Sequence, residues 1–132
     1  IDTLRVTGGA NLDLTAISNT MEGSRIESVE KIDLSTDTAA NTLKIKVSDV
    51  LDMSEMNVFN NSTLGGTTLG ASVAKHQVLV DAAAGDVVQI NTTGWTTSSN
   101  VVANGHTYDI YNYGTSAAQL LIDHNATVQQ VL

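Results

Sequence analysis

Acidic side chains in the first half of the chain are the residues best suited by type to bind a metal ion. Asp2, Asp33, Asp37 and Asp49 lie at predicted strand ends and turns. Calcium takes several oxygen ligands from carboxylates, amides and backbone carbonyls, which such positions supply. Asp is also common in turns that bind no metal, because its side chain hydrogen-bonds to nearby backbone groups. The pattern predicts calcium binding by these four aspartates, and the turn-forming interpretation stays open beside it.

Aromatic residues in the second half are the candidates for binding an organic ligand. Trp95 follows a glycine, and three tyrosines lie downstream of it. Strand alternation places Tyr108 on one face and Tyr111 on the other, which predicts a packed Tyr108 and an exposed Tyr111. Rings on a β-surface can bind a sugar or a peptide, so Trp95 and Tyr111 are the predicted ligand-binding residues. A structural role for Trp95, closing one end of the core, is the alternative.

The sequence contains none of the compact catalytic motifs. His76, His106 and His124 stand far apart, and there is no G-x-S-x-G, H-E-x-x-H or P-loop pattern. A small hydrolase would need a histidine and a carboxylate to converge in one cleft. We therefore predict no catalytic residues and expect that the protein is not an enzyme.

Composition excludes several classes of partner. Six Lys and Arg against 14 Asp and Glu give a net charge of −8, whereas nucleic acids and anionic membranes attract basic surfaces. No apolar run approaches the ~18–20 residues of a membrane span, so no membrane insertion is predicted. The absence of cysteine excludes disulfides and thiolate zinc sites. The 132 residues suit one domain, and we expect a single β-rich module over residues 1–132, excised from a larger protein.

Alternating apolar and polar residues predict β-strands in the first half. The alternation covers residues 4–6, 12–14, 32–34 and 43–47. The 12–15 pattern recurs at 32–35, a spacing of 20 positions that falls within the range of solenoid repeats. Residues 48–53 are predicted as one short helix, with Ser48 as its cap. Residues 60–70 are polar and glycine-bearing, which predicts a surface loop or an insertion.

The second half resembles an antiparallel meander. Residues 86–90 are predicted as one strand, and Asn104-Gly105 predicts a tight hairpin between residues 101–103 and 106–111. Residues 119–123 are predicted as a strand that is apolar on both faces for part of its length. The predicted fold is therefore all-β, with a parallel β-solenoid-like N-terminal half, one short helix and an antiparallel C-terminal sheet with a hairpin. A β-sandwich is the alternative.

The order of these motifs resembles modules of very large secreted bacterial proteins, the RTX-type adhesins and related calcium-binding repeat proteins. The stretches that carry the resemblance are residues 1–6, 12–17, 26–34, 41–45, 49–54, 76–81, 84–88, 94–95, 105–111 and 118–123. Residues 57–75 fit least and resemble an insertion. The nonapeptide G-G-x-G-x-D-x-U-x is present only in a degenerate form over residues 8–15, without a tandem copy, which favours a cap or partner of an RTX roll.

The resemblance implies a non-catalytic structural or capping module of an adhesin that functions in cell adhesion and biofilms. Such proteins are exported by type I secretion, lie outside the cell at the bacterial surface and use calcium to become rigid. The implied partners are neighbouring modules of the same polypeptide. A carbohydrate- or peptide-binding module of such an adhesin, with a host or surface glycan or peptide as partner, is the alternative.

Overall fold

The computed structural model describes residues 2–17, 28–54, 56–59, 74–91, 94–103 and 105–131. This part of the chain holds ten strands and one α-helix. The strands are β1 (Thr3–Arg5), β2 (Asn11–Asp13), β3 (Lys31–Asp33), β4 (Thr42–Ile45), β5 (His76–Asp81), β6 (Val87–Asn91), β7 (Trp95–Ala103), β8 (His106–Tyr113), β9 (Ala118–Asp123) and β10 (Thr127–Val131). Helix α1 spans Val47–Met53, and Leu14–Ala16 form a 3-10 turn. The mostly-β class predicted from the sequence is confirmed.

The strands form two sheets. The large sheet has the order β1-β3-β5-β9-β8-β7, and the small sheet has the order β10-β6-β4-β2. Pairing is parallel throughout the small sheet and from β1 to β9 in the large one. Strands β1 to β6 fall alternately in the two sheets. Parallel neighbours need a long crossover connection, and here each crossover passes through a strand of the other sheet.

The inner faces of the two sheets share one hydrophobic core. Ile32, Val80 and Ile122 of the large sheet and Leu43 and Val88 of the small sheet are fully buried in it. The period-two alternation of the sequence supplies these side chains, because every second residue of a strand points to the same face.

A second hydrophobic cluster covers the outer face of the large sheet. Its buried members are Phe59, Leu79, Ala103, Tyr108, Ile110 and Leu121. Strand β9 is therefore buried on both faces, as its apolar sequence predicts. Tyr108 is 3% exposed, which confirms its predicted packing.

The predicted short helix is present, but it begins one residue before Ser48. Lys46 is the residue at its N-terminal cap, and the backbone N–H of Lys46 donates to the Asp49 carboxylate at 2.9 Å. Val50 and Met53 face the core. The predicted loop over residues 60–70 lies outside the described residues.

The predicted hairpin is also present. Strands β7 and β8 pair antiparallel, with Ala103 opposite His106. Gly105 has φ +79°, a conformation that glycine adopts without strain, and Asn104 lies outside the described residues. No helix in the described part of the chain is long and apolar enough to cross a membrane.

The antiparallel meander predicted for the second half is wrong for β6. Strand β6 pairs parallel with β4 and β10 in the small sheet. Among the described strands, antiparallel ladders join only β7, β8 and β9, beside an isolated antiparallel bridge between Met56 and His76. Alternation predicts a half-buried strand but does not specify the direction of its neighbours, so the parallel arrangement extends further along the chain than expected.

Substitution of Leu120 by Ala tests the shared core. Leu120 is fully buried between the sheets, so we expect a loss of about 2–5 kcal/mol in the free energy of unfolding, from lost transfer energy and a residual cavity. Urea denaturation measures it. Val102→Ala is the control, because Val102 is 67% exposed and should change stability by less than about 0.5 kcal/mol. Equal losses for the two variants would contradict this core.

Candidate functional site

Three neighbouring parallel strands each end in an aspartate on the outer face of the large sheet. Asp33 ends β3 and pairs in register with Asp81, the last residue of β5. Val80 pairs with Ile122, so the next residue of each strand places Asp81 beside Asp123 at the end of β9. We name Asp33, Asp81 and Asp123 the acidic row.

Asp81 is buried and holds two donors from different strands. The Lys31 ammonium on β3 lies 2.8 Å from its Oδ2 atom, and the Tyr108 hydroxyl on β8 donates to its Oδ1 atom. Burial, followed by the hydrogen bond to Asp81, raises the pKa of Tyr108 well above its ordinary value of 10.0. The phenol therefore stays protonated and acts as a donor at any physiological pH.

Asp123 is 1% exposed and is fixed by two backbone groups and one imidazole. The N–H of Asn125 donates to its Oδ1 atom at 3.0 Å, and the N–H of Ala82 donates to its Oδ2 atom at 3.3 Å. The Nδ1 atom of His106 lies 2.9 Å from the same Oδ2 atom. The side chain of His106 is 38% exposed, so solvent reaches this end of the row.

Asp81, His106 and Asp123 form the one group of three metal-ligating side chains found among the described residues. One ligand atom from each lies within 4.8 Å of the other two. Two carboxylates and an imidazole can hold a divalent ion or exchange a proton. No known protein family, curated protein or solved structure matches this chain. A function is therefore inferred from the arrangement of the strands and of these side chains.

The four aspartates predicted to bind calcium lie at separate places. Asp33 belongs to the acidic row, where its carboxylate accepts the N–H and hydroxyl of Ser35. Asp2 precedes β1 and is exposed. Asp37 lies in the turn after β3, and Asp49 lies on α1. Calcium binding by these residues stays a prediction.

Asp37 and Asp49 have opposite electrostatic environments. Asp37 accepts the Gly8 N–H at 2.6 Å and the Asn41 amide at 2.9 Å, and these bonds lower its pKa, with the Gly8 bond the larger cause. Asp49 is 1% exposed, and its Oδ1 atom has no hydrogen-bond partner. Loss of hydration raises the pKa of Asp49, although the N–H of Lys46 opposes this rise.

The predicted ligand-binding aromatics are packed against the rest of the protein. Trp95 is 3% exposed, and its ring centroid lies 5.4 Å from that of Tyr113. Tyr111 was predicted to be exposed, but it is half-buried against the core between the sheets. A ligand would have to displace protein contacts to stack on Trp95, so the surroundings of Trp95 agree with the structural alternative for this residue.

The sequence prediction did not identify Asp81, His106 or Asp123 as a group. A signal for two of them exists, since the Q-V-L-V-D of residues 77–81 recurs as Q-L-L-I-D at 119–123. The repeat corresponds to the parallel pairing of β5 with β9. The position of His106 depends on the hairpin, and no local pattern indicates it.

We expect Asp49→Asn and Asp37→Asn to change the pH dependence of stability in opposite directions. The pKa of Asp49 in the folded state is raised above 3.8. Its contribution to the free energy of unfolding is therefore fully present below pH 3.8 and is lost as the pH rises through the folded-state pKa. Asp49→Asn removes this loss, so the variant should become more stable relative to wild type as the pH rises. The pKa of Asp37 in the folded state is lowered. Its contribution to the free energy of unfolding is therefore present above pH 3.8 and is lost as the pH falls through the folded-state pKa.

Asp37→Asn should therefore be less stable than wild type at neutral pH, and its stability should approach that of wild type in acid. Urea denaturation across this pH range measures both variants, and each serves as the charge-matched control for the other. The same pH profile for both would contradict the environments described for the two carboxylates.

Proposed function

We propose that this chain is a non-catalytic structural module in which four turns of chain stack as a parallel solenoid of two sheets. The observation that carries the proposal is the pairing pattern. The turns are β1–β2, β3–β4, β5–β6 and β9–β10, and each strand pairs in parallel with the strand one turn later. A sandwich built from hairpins would instead pair consecutive strands antiparallel within one sheet.

The β7–β8 hairpin supports a capping role. It lies between the third and fourth turns in sequence, but β8 pairs with the outer edge of β9. A further turn would need that edge for its own strand in the large sheet. Strand β8 occupies the edge that a further parallel strand would need, and the antiparallel β7 becomes the last strand of the sheet. The hairpin therefore ends the parallel stack on this side, as terminal units of repeat proteins do.

The polar groups on the outer face of the large sheet support a structural rather than a catalytic role. The Gln77 amide donates to Gln119 at 2.7 Å, and the Gln119 amide donates to Asn112 at 3.0 Å. These side chains connect β5, β9 and β8 directly. The buried Asp81 carboxylate is likewise bonded by groups from β3 and β8. The Lys31 and glutamine bonds join neighbouring strands, and the Tyr108–Asp81 bond reaches across β9 from β8 to β5. Groups bonded in this way are not free to act on a substrate.

The module, on this proposal, belongs to a large secreted RTX-type adhesin at the bacterial surface and contacts neighbouring modules of the same polypeptide. The sequence resemblance, the net charge of −8 and the absence of cysteine support this assignment. Calcium would stabilise the folded module, because an ion that binds acidic side chains relieves their mutual repulsion and favours the state that holds it.

Hydrogen exchange tests the stacked arrangement. In a solenoid each turn is stabilised mainly by its neighbours, and β1 and β2 have a paired strand on one side only. We expect the slowest backbone exchange in β3 to β6 and progressively faster exchange toward β1 and β2, measured by mass spectrometry at several times. Equal protection across all strands would contradict a stack and favour a single cooperative sandwich.

Thermal unfolding tests the calcium part of the proposal. Protein freed of metals with a chelator should gain a higher Tm on addition of CaCl2 than on addition of MgCl2 or of NaCl at matched ionic strength. Asp37→Asn should reduce the calcium effect, and Asp52→Asn is the charge-matched control outside the predicted ligand set. Identical melting curves with calcium and with chelator would remove calcium from the proposal and leave the stacked arrangement to the exchange experiment.

A further inference from the structure

Three strands bring one ligand each to the outer face of the large sheet. Asp81 ends β5, Asp123 ends β9, and His106 begins β8. We infer that Asp81, His106 and Asp123 bind a divalent transition-metal ion of the zinc class.

The spacing of the donor atoms suits one ion. Zinc lies about 2.0–2.2 Å from nitrogen and oxygen ligands, which places the ligands of a tetrahedral site about 3.3 Å apart. The three donor atoms lie within 4.8 Å of one another, and the His106 Nδ1 to Asp123 Oδ2 distance is 2.9 Å. The His106–Asp123 contact is therefore already close to the spacing of two ligands on one ion.

Groups behind the ligands already fix their orientation. The N–H groups of Ala82 and Asn125 hold Asp123, and Lys31 and Tyr108 hold Asp81. Each carboxylate oxygen has two lone pairs, so an oxygen that accepts a hydrogen bond can still bind an ion. Such supporting bonds are characteristic of metal sites, where they keep the ligands in position.

The charge at the site also favours a bound cation, independently of the distances. Asp81 and Asp123 are 6% and 1% exposed and lie side by side. Among the described residues, Lys31 provides the one permanent positive charge that forms an ion pair with them. The side chain that contacts Asp123 is His106, which is charged only when protonated. Adjacent buried carboxylates repel each other unless a proton or a cation offsets their charge. A divalent ion supplies that cation without requiring a protonated imidazole.

The ligand types select the ion. Calcium takes six to eight oxygen ligands, whereas an imidazole nitrogen with two carboxylates suits zinc and its neighbours among the transition metals. The partly exposed His106 gives the ion a route from solvent. Bound there, the ion would join β5, β9 and β8, and thereby the hairpin to the parallel strands.

Calorimetric titration of the chelator-treated chain with ZnCl2 tests this site. We expect one zinc ion per chain, a higher Tm with zinc and no competition from excess calcium. His106→Gln should weaken zinc binding by at least about tenfold. His124→Gln is the matched control, because its Nδ1 atom lies 2.9 Å from Asp109 in another His–Asp pair, and it should bind zinc as wild type does.

Absence of zinc binding by the wild-type chain would overturn the inference whatever the variants do. Equal affinity of wild type and His106→Gln would also overturn it, since the zinc would then be held elsewhere on the surface. Circular dichroism of His106→Gln confirms that the variant is folded. Asp123→Asn gives a second variant in which the same loss of affinity is expected.

Discussion

Parallel hydrogen bonding between strands that are not consecutive in the chain is the constraint on which the rest of the structure depends. A parallel neighbour cannot follow through a tight turn, so the chain crosses to the other sheet before it returns. Each crossing contributes a strand to the second sheet, and the inner faces of both sheets then bury their apolar side chains against one another. The same constraint brings residues that are far apart in sequence, such as Asp33 and Asp81, into direct register.

Local patterns were sufficient to predict the helix, the hairpin and most of the strands. Residues 95–100 of β7 are mostly polar, and only residues 101–103 of that strand were predicted. The partners of the strands depend on distant residues and were harder to predict. The pattern at residues 12–15 recurs at 32–35, but β2 lies in the small sheet and β3 in the large one. The true neighbours are further apart, since Thr3 pairs with Lys31 and Asn11 with Thr42. Strands of both sheets show the same alternation of apolar and polar residues, so the repeat does not indicate to which sheet a strand belongs.

The site was predicted only in part for a related reason. Asp33 was selected for its position at a strand end, and it lies beside Asp81 in the acidic row. Turn formation accounts for bonds at several strand ends, where Asp13, Asp33 and Asp123 each accept the N–H two residues later. Turn formation alone does not distinguish these aspartates from one another. Burial beside an imidazole distinguishes Asp123, and that depends on how β8 folds back onto β9.

The outer face of the large sheet is ordered in rows that run across its strands. Gln77, Gln119 and Asn112 form an amide row, and Leu79, Leu121 and Ile110 form the apolar row beside it. The acidic row follows at the strand ends, with Tyr108 opposite Asp123. Parallel register makes this order possible, since equivalent residues of successive strands become neighbours. Strand β8 contributes Asn112 and Ile110 to the first two rows, and its Tyr108 and His106 contact the acidic row. The hairpin is therefore joined to the parallel strands in all three rows. A change of charge in the acidic row therefore acts at the junction between the hairpin and the parallel strands, where the two pairing directions meet.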